Sequence, residues 1–495
     1  MSRALQAVRE AAIDGRLQNT IYRQTQLEKL QKVLVENAEV VNRAIRKDSG
    51  HSDVEAAVEF TLTLQAIREY YKTLDETEAL RLEYALTRSE DAPARQAGIG
   101  VVYLAPTNHT LFYSVVATTS AAIAAGNCVV IELGNTVRET PLLLQKLFKI
   151  ALDPNIIEFV TSRAADEDLG LQHVRVLQNG LSTASNQQPS SLKTYPPLIS
   201  LPDSRAIAIV DRGVDLSKTA AALVTARFGF GGNSPYAPDA VFVHEYLLKE
   251  FLVACVKEMM LLTANLADSR PVDRERANEV ERLLETGIKN GELEVTASTN
   301  KASVYKVNVR KAEILRTKIT GANLVVLGIR SLDDAIALTN QSARSDQLLA
   351  SYIFAPSGSA KYLSQFVQAQ ASFVNQVPLE LLVGPAAPRF SITDRSLRYP
   401  VSLFSTPHVG YTTQTVNSEF VHRSLKDTKW TDITKALKIA SAPLTPKVVR
   451  APGGQTGFFE QGILIGLSMF GIPIILTVSA LGVFGVRAYA NFRRS

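Results

Sequence analysis

Apolar residues recur at a helical spacing throughout the first 85 residues. They occupy positions i, i+3 and i+4 in three segments: AVREAAIDGRL, YRQTQLEKLQKVLVENAEVVNRAIRKDSG and SDVEAAVEFTLTLQAIREYYKTL. That period places apolar side chains on one face of a helix, and glycines such as Gly15 and Gly50 are typical helix ends. The pattern therefore predicts that residues 1–85 form helices that pack on the domain that follows.

From residue 98 the pattern changes to short apolar runs that alternate with helical ones. Strands are predicted at GIGVVYLAP (98–106), NCVVIEL (127–133) and IIEFVTS (156–162), separated by helices over Leu111–Ala125 and 138–152. Strands and helices that alternate at this spacing are typical of a doubly wound parallel sheet.

The polar segment 180–200 is predicted to be a long loop, and a second strand–helix series follows it. This series begins with the apolar run RAIAIVD and includes a helix over 218–228 and a strand over Ala240–His244. The whole pattern predicts two α/β domains behind a helical N-terminal segment.

Residues 462–486, GILIGLSMFGIPIILTVSALGVFGV, contain no charge. A helix of this length spans about 37 Å, which exceeds the ~30 Å hydrocarbon layer of a bilayer. A buried core helix is the alternative, but such a helix seldom lacks a polar face. Pro473 would kink the helix, which membrane spans tolerate. The segment predicts a single membrane anchor, tethered by a linker over residues 433–461 that is rich in Ala, Pro, Gly and Lys.

The position of this anchor indicates how the protein is placed in a cell. The few residues beyond it include Arg487, Arg493 and Arg494, which oppose a simple positive-inside orientation. That rule is weak for so short a tail, and a large folded body is hard to translocate. We therefore expect insertion after translation, with the body in the cytosol and the anchor in the endoplasmic reticulum, the peroxisome or the outer mitochondrial membrane.

Composition and charge indicate the class of protein and the partners that it lacks. The chain has 495 residues, of which 46% are apolar and 20% charged, as in a globular protein of two or three domains. Its net charge of +5 is spread along the chain, so no nucleic-acid partner is predicted. Cys128 and Cys255 lie in apolar stretches and cannot build a disulfide framework. Both are predicted to be small buried apolar residues in a reducing compartment.

The segment GGNSPYAPDA (231–240) breaks the periodicity between a helix and a strand. Turns at such junctions often carry catalytic residues. Pro235, however, has no nucleophilic atom, and neither Ser234 nor Tyr236 has an activating base beside it in the sequence.

Several segments together resemble the aldehyde dehydrogenase superfamily, especially its membrane-anchored fatty aldehyde dehydrogenase branch. The likeness covers roughly residues 5–380 and the anchor. The segments that carry it are GRLQNTIYRQTQLEKLQKVLVENAEVVNRAIRKDSG, GVVYLAPTNHTLFYSVVATTSAAIAAGNCVVIE, AIVDRGVDLSKTAAALVTARFGFGGNSPYAPDAVFVHE, RSLDDAIALTNQ and SYIFAPS.

The resemblance implies an aldehyde dehydrogenase-like α/β fold. A Rossmann-like cofactor domain would occupy residues 86–200 and an α/β catalytic domain residues 201–395. Residues 396–432 would form a small element of oligomerisation strands, so the resemblance also implies assembly with itself or with another aldehyde dehydrogenase-like chain.

The family uses a cysteine thiolate that adds to the aldehyde, transfer of hydride to NAD(P), and a glutamate that activates water to hydrolyse the thioester. In the family phrase G-Q-x-C-x-A-P-D the cysteine position holds Pro235, and the general-base position holds Leu201. Ser234 would need an adjacent base to replace the thiolate, and Asp203 is predicted to be a surface loop residue rather than a displaced base. The nucleophile and the base are therefore both predicted to be missing.

The positions that would contact NAD also differ. Glu132 stands where the family has a ribose-binding lysine, and Lys318 stands at the glutamate of E-x-F-G-P. Gly180 matches the first glycine of the pyrophosphate turn, whereas Leu181 and Ser185 replace a hydroxyl residue and the second glycine. A Glu132–Lys318 ion pair across the cofactor site is one hypothesis, and two solvated side chains are the alternative. No bound cofactor is expected, and the cofactor would be NAD or NADP if the protein is active.

Asn108 is the one catalytic position that the resemblance leaves in place. It occurs in APTNHT, where the family asparagine supports the oxyanion, although an asparagine here is also an ordinary turn residue. The adjacent His109 is predicted to be structural or on the surface. The remaining histidines show no metal-ligand spacing, so no metal site is predicted.

Two functions fit the sequence. In the first, the protein is catalytically degenerate and binds a fatty aldehyde or acyl chain, or acts as a scaffold within an oligomer. In the second, it is an aldehyde dehydrogenase that oxidises long-chain or secondary-metabolite aldehydes to acids with NAD(P).

Overall fold

The computed structural model describes residues 3–134, 137–170, 172–180, 195–263, 274–342, 347–427, 430–444 and 458–493. The chain divides into two compact units, Met1–Thr413 and Gln414–Ser495.

The first unit begins with the predicted helices. Their bounds are α1 (Arg3–Asp14), α2 (Thr20–Glu36), α3 (Ala38–Ser49), α4 (Asp53–Lys72) and α5 (Glu76–Glu83). Gly15 and Gly50 end α1 and α3 in the left-handed region, with φ of 74° and 73°. The helical pattern from Tyr22 to Gly50 forms two helices, because the chain breaks at Asn37, whose φ and ψ of −109° and 18° are not helical. The Asn37 side chain donates to the Val33 carbonyl, a local bond that competes with helix continuation.

A parallel sheet follows, as the alternation of apolar runs predicted. After β1 (Gln96–Gly98), its strands are β2 (Val101–Ala105), β3 (Cys128–Glu132), β4 (Ile157–Val160), β5 (His173–Leu177) and β6 (Leu198–Ile199), and its helices are α6 (Leu111–Ala125), α7 (Glu139–Ala151) and α8 (Asp166–Leu169). In the described part of the chain the strand order is β4-β3-β2-β5-β6. The order reverses between β2 and β5, and ligands of such sheets bind beyond the strand ends at this switch point.

The second strand–helix series forms a larger sheet. Its strands are β7 (Ala206–Val210), β8 (Ala240–His244), β9 (Leu293–Ser298), β10 (Ser303–Val307), β11 (Asn323–Ile329), β12 (Leu348–Phe354) and β13 (Ala369–Val374). The connecting helices are α9 (Leu216–Phe228), α10 (Leu248–Thr263), α11 (Arg274–Lys289), α12 (Leu332–Ser342) and α13 (Ser357–Phe366). The order is β13-β12-β7-β8-β11-β10-β9, parallel except for β9. Strands β7 and β8 are buried along their whole length, because both faces of the sheet are covered.

The region 396–432, predicted to supply oligomerisation strands, contains mostly other structure. Its strand β14 (Ser405–Pro407) has three residues and pairs antiparallel with β1. Residues 416–427 and 430–440 are helical instead of extended. The reason is local, since neither glycine nor proline interrupts residues 416–440.

The second unit is helical where it is described. Its elements are α14 (Val416–Asp427), α15 (Trp430–Ala440), α16 (Phe458–Gly466) and α17 (Ile472–Phe492). Helix α15 lies in the segment predicted to be a linker, and it forms because Ile433, Ala436, Leu437 and Ala440 recur at helical spacing.

The C-terminal apolar helix is confirmed. Within the described residues, one helix is long and apolar enough to cross a membrane: Glu460–Gly485, with a mean hydropathy of 2.2. A π-helical turn, Leu467–Gly471, separates α16 from α17. It lies just before Pro473, which has no N–H to donate to the preceding turn and therefore forces the helix to widen there.

Candidate active site

The turn after α9 contains the position that the resemblance assigns to the nucleophile. Phe230, Gly231 and Gly232 all have positive φ, at 52°, 63° and 65°. At Gly232 an added Cβ would lie 2.1 Å from the Gly321 carbonyl oxygen, so only glycine allows these two backbone segments to approach. The sequence signal of two adjacent glycines therefore corresponds to a tight contact between the turn and the loop before β11.

Pro235 is buried in this turn. Its carbonyl oxygen accepts a hydrogen bond from Lys318 Nζ at 2.6 Å. Ser234 Oγ is also buried, and it accepts from the Tyr236 backbone N–H at 3.3 Å. The Tyr236 hydroxyl accepts from the Ala387 N–H at 3.1 Å. Each of these polar groups already takes part in hydrogen bonds that hold the turn.

The two cysteines lie in other elements. Cys128 begins β3 and Cys255 lies within α10, and both are free and buried, as predicted. Burial raises the pKa of Cys128 to about 12 and that of Cys255 still further. Neither thiol is therefore ionised to a useful extent at neutral pH.

Three buried charged residues surround the turn, and we call Arg227, Asp239 and Lys318 the ionic cluster. Asp239 Oδ2 accepts from Lys318 Nζ at 3.0 Å, and Asp239 Oδ1 lies 3.5 Å from Arg227 Nη1. The same carboxylate accepts from the backbone N–H groups of Ala206 at 2.7 Å and Ile319 at 2.9 Å. A buried charge is costly unless it is paired and hydrogen-bonded, and Asp239 meets both conditions.

Arg227 joins this cluster to the backbone on either side of the turn. Its guanidinium donates to the carbonyls of Gly232, Ile319 and Gly321, the last at 2.9 Å. Burial lowers the pKa of Arg227 to about 10, so the group remains charged at neutral pH. Burial also lowers the pKa of Lys318, and the neighbouring Asp239 carboxylate offsets part of that effect. The cluster ties the turn to the loop that contains residues 318–321.

Neither the hypothesis of a Glu132–Lys318 ion pair nor the alternative of two solvated side chains describes the structure, because Lys318 is buried. The Lys318 ammonium is used by Asp239 and by the Pro235 carbonyl. Glu132, at the end of β3, accepts a hydrogen bond from the Tyr103 hydroxyl. The resemblance assigns both residues to positions that contact the cofactor, but the Lys318 side chain points toward the buried carboxylate of Asp239. Two of the three predicted NAD positions therefore have other partners.

The third NAD position, Gly180, lies at the switch point with φ of 82°. Leu181 and Ser185, predicted to complete the pyrophosphate turn, lie outside the described residues. Beside Gly180, the loops that follow β2 and β5 are joined by side-chain bonds. Gln178 Oε1 accepts from the Thr107 N–H at 3.0 Å, and Asn179 Nδ2 donates to the Pro106 carbonyl at 2.8 Å. These bonds fix the distance between the two loops at the place where ligands of such sheets bind.

The general-base position is apolar and partly exposed. Leu201 is half-buried, and its carbonyl accepts from the Ser204 N–H at 3.1 Å. Asp203 forms an ion pair with Arg276 at 2.7 Å, and its side chain is 67% exposed. This confirms the prediction that Asp203 is a surface residue.

Asn108 is exposed, and its side-chain oxygen accepts from Arg138 Nη1 at 3.2 Å. Its role as an oxyanion donor stays a prediction. His109 is buried, and its Nε2 lies 2.8 Å from the Leu382 carbonyl oxygen. Burial lowers the pKa of His109 to about 4, so the ring is neutral and donates to that carbonyl. His109 is thus a structural residue, one of the two alternatives predicted.

Glu59 is a buried titratable residue that the sequence analysis did not identify. Glu59 on α4 is buried, and its Oε1 accepts from the Tyr113 N–H at 3.2 Å, in the first turn of α6. Its Oε2 lies 3.8 Å from His51 Nδ1, and neither of those atoms has a hydrogen bond within the described structure. Burial raises the pKa of Glu59 to about 7 and lowers that of His51 to about 4. The sequence indicated this burial, because Glu59 lies on the same face of α4 as the buried residues Ala56 and Thr63.

Metal binding has no evident site. Among the residues that the structure describes, no group of three or more His, Cys, Asp or Glu side chains is placed to hold a metal ion.

Comparison with known proteins assigns the family. The sequence pattern of the Aldehyde dehydrogenase family matches residues 1–381. Aldehyde dehydrogenase family 3 member B2 of Mus musculus is 24% identical over 369 residues, which cover 71% of this chain and 75% of that protein. The 4,4'-diaponeurosporen-aldehyde dehydrogenase of Staphylococcus aureus is 24% identical over 351 residues, which cover 67% of this chain and 75% of the relative.

Solved structures share the fold. AldH of Staphylococcus aureus in a substrate-bound state has a TM-score of 0.66 at 17% identity, covering 89% of this chain and 100% of that one. A mutant of aldehyde dehydrogenase C from Pseudomonas syringae, in complex with NAD+ and octanal, has a TM-score of 0.66 at 16% identity, covering 84% of this chain and 89% of that one. Since the family pattern spans well over half of its length and the fold agrees, the chain belongs to the aldehyde dehydrogenase family.

Proposed function

We propose that this protein is a membrane-anchored member of the aldehyde dehydrogenase family that has lost the thiolate route. In its place it would bind a fatty aldehyde or acyl chain, or act as a scaffold in a homo- or hetero-oligomer with an aldehyde dehydrogenase-like chain. One observation carries the proposal: Pro235 is buried at the nucleophile position and its carbonyl accepts a hydrogen bond from Lys318. A proline ring offers no atom that can add to a carbonyl carbon.

Neighbouring groups do not supply a substitute nucleophile. Ser234 Oγ accepts from the Tyr236 N–H, and Lys318, which donates to the Pro235 carbonyl, is paired with Asp239. A serine hydroxyl needs an adjacent base to become nucleophilic. The base position is Leu201, so water would also lack its activating carboxylate.

Loss of the NAD contacts is the second part of the proposal. Lys318 is turned toward Asp239, and Glu132 is bonded to Tyr103. A dinucleotide would therefore lack both ribose partners that the resemblance implies. A thermal-shift titration with NAD+ and NADP+ tests this part. A ligand at a thousand times its Kd would stabilise the protein by about 4 kcal/mol, so a saturable rise of the melting temperature would contradict the proposal.

The anchor would place the body in the cytosol, on the endoplasmic reticulum, the peroxisome or the outer mitochondrial membrane. Its support is the apolar helix Glu460–Gly485. Replacing Ile475 and Leu476 together by Arg should make the protein extractable by alkaline carbonate, since each arginine at a span centre costs about 2.5 to 3.5 kcal/mol. Thr477→Ala is the matched control and should stay in the membrane fraction. If the arginine variant also stays there, this helix is not the anchor.

The alternative function is oxidation of long-chain or secondary-metabolite aldehydes to acids with NAD(P). It is favoured by membership of the family and by the NAD+ complexes named among the structures of similar fold.

An oxidation assay with decanal and NAD+ separates the two functions. We expect no NADH formation from the unsubstituted chain. Pro235→Cys adds a thiol at the nucleophile position, Pro235→Ala removes the ring without adding one, and Ser234→Cys adds a thiol one residue away. NADH formation that co-elutes with the unsubstituted chain through a further purification step, and that persists in Pro235→Ala, would overturn the degenerate function and support the alternative. Activity in Pro235→Cys alone would show that the missing thiol is the decisive loss.

A further inference from the structure

Helix α15 carries an apolar face with no assigned role. Ile433, Ala436, Leu437 and Ala440 follow the i, i+3, i+4, i+7 spacing that places them on one side of the helix. On this face Leu437 is 65% exposed, whereas Ile433 and Ala436 are partly buried. Ile439, which is 70% exposed, lies about 120° round the helix from Ile433. An amphipathic helix with large exposed apolar side chains is a surface that another body normally covers.

The rest of this helix contains two lysines and one aspartate, Asp432. Lys435 and Lys438 are exposed on α15, away from the Ile433–Leu437 side. Lysines beside an apolar face are typical of helices that lie in a membrane interface, because their ammonium groups reach anionic headgroups while the apolar side chains enter the acyl boundary. The charge pattern therefore favours a lipid surface over a protein groove.

The chain that joins α15 to the apolar C-terminal helix keeps α15 close to the bilayer which that helix would span. The apolar helix that begins with Phe458 and Glu460 follows α15 along the chain. The connection from Ala440 to Phe458 cannot exceed about 60 Å even when fully extended. Tethering of this kind makes the encounter intramolecular and raises the effective concentration of the lipid surface for α15.

We propose that α15 is an interfacial helix, which lies on the anionic face of the bilayer that the C-terminal helix spans. Its apolar face enters the boundary between headgroups and acyl chains, and Lys435 and Lys438 contact anionic lipid headgroups. This proposal rests on the proposed membrane anchor and extends it: the protein would hold its membrane by a span and by a second, surface-bound helix.

The chain contains its own probe for this arrangement. Trp430 is the single tryptophan and the first residue of α15, so intrinsic tryptophan emission reports on that helix in the unlabelled full-length protein. The protein is reconstituted into vesicles of phosphatidylcholine, with or without phosphatidylserine, and into matched vesicles whose lipids are brominated at the upper acyl carbons. We expect emission at shorter wavelength, quenching by the brominated lipid, and stronger quenching when phosphatidylserine is present.

Two matched variants test the face itself. Ile433→Asp puts a carboxylate on the apolar side, and Thr434→Asp puts the same charge about 100° round the helix. Ile433→Asp should abolish the quenching and Thr434→Asp should retain it. Replacing Lys435 and Lys438 by Gln should remove the dependence on phosphatidylserine.

The possible results separate the interfacial-helix proposal from the proposal that the C-terminal helix is a membrane anchor. Protein that co-floats with vesicles but has long-wavelength, unquenched emission overturns the interfacial helix and leaves the anchor standing. Short-wavelength emission without quenching by brominated lipid shows that α15 packs on protein instead, which also overturns the proposal. Protein that does not co-float at all contradicts the anchor first.

Discussion

Two sets of buried charged groups in the first unit are stabilised in opposite ways. The ionic cluster contains a carboxylate, Asp239, between two cations, and its oxygens also accept two backbone N–H bonds. Glu59 lies equally deep, yet it faces a neutral histidine, and one of its oxygens has no hydrogen-bond partner in the described structure. The buried negative charge of Asp239 is balanced by two cations, whereas Glu59 avoids a buried charge because it keeps its proton up to about pH 7.

The difference shows two ways in which a buried carboxyl group is accommodated. Beside the turn after α9, Asp239 belongs to a paired network that holds the backbone together. Beside α6, Glu59 has a raised pKa and no cationic partner among the described residues. A paired buried charge depends on its partners, and an unpaired one depends on pH.

The largest effect is expected from breaking the ionic cluster. Asp239→Asn leaves Arg227 and Lys318 buried without a counter-charge, and it places the amide NH2 donor against the N–H group of either Ala206 or Ile319. We expect a loss of about 3 to 5 kcal/mol in the free energy of unfolding, measured by urea denaturation of the full chain in detergent. A loss below 1 kcal/mol would mean that the cluster does not hold the turn.

A pH-dependent effect of opposite sign is expected at Glu59. The pKa of this carboxyl is about 7 in the folded protein, above the ordinary 4.5, so the folded state binds the proton more tightly than the unfolded state. The contribution of Glu59 to stability therefore falls as pH rises from about 4.5 to 7, and its full cost is present above pH 7. The lowered pKa values of His51 and His109 act in the opposite direction, but they are common to the parent and the variant. Glu59→Gln removes this cost, so the variant should be about 2 to 3 kcal/mol more stable than the parent at pH 8 and nearly equal to it below pH 5.

The same helix offers the control for that measurement. Glu69 on α4 is partly exposed and pairs with Lys72. Glu69→Gln should change stability by less than about 1 kcal/mol at either pH, because a surface ion pair is screened by solvent. If Glu59→Gln behaves like Glu69→Gln, the buried carboxyl is not protonated as inferred.

The smallest effect is expected at Asp203. Its ion pair with Arg276 is on the surface, so Asp203→Asn should cost about 0.2 to 1 kcal/mol, and most of that should vanish in 1 M salt. Together with Asp239→Asn, it compares an exposed and a buried aspartate in the same sheet region. If Asp203→Asn and Asp239→Asn reduce the free energy of unfolding by similar amounts, the contrast between an exposed and a buried aspartate is wrong.

The regular elements of the first unit were predictable because hydrophobic periodicity acts locally. The helix Leu111–Ala125 and the strand Ala240–His244 have the predicted bounds, and the C-terminal apolar helix needed only composition and length. The structure differs from the sequence-based expectation in α14 and α15, which are helical where short strands and a linker were expected.

The candidate site was predictable in its residue types but not in its contacts. The sequence identified Pro235, Leu201, Glu132 and Lys318 as departures from the family pattern. It could not show that Lys318 bonds to Pro235 and Asp239, because those partners are distant along the chain and meet only when β8 packs beside β11.

The amino-acid sequence by itself determined the order of strands and helices, the apolar C-terminal helix and the absence of sulfur at position 235, because each follows from side-chain type and near-neighbour spacing. Tertiary structure alone decided which charges are paired, which carboxyl group keeps its proton and which apolar side chains of α15 stay exposed. Those outcomes depend on desolvation and on distances between segments far apart in the chain, and no local pattern encodes either.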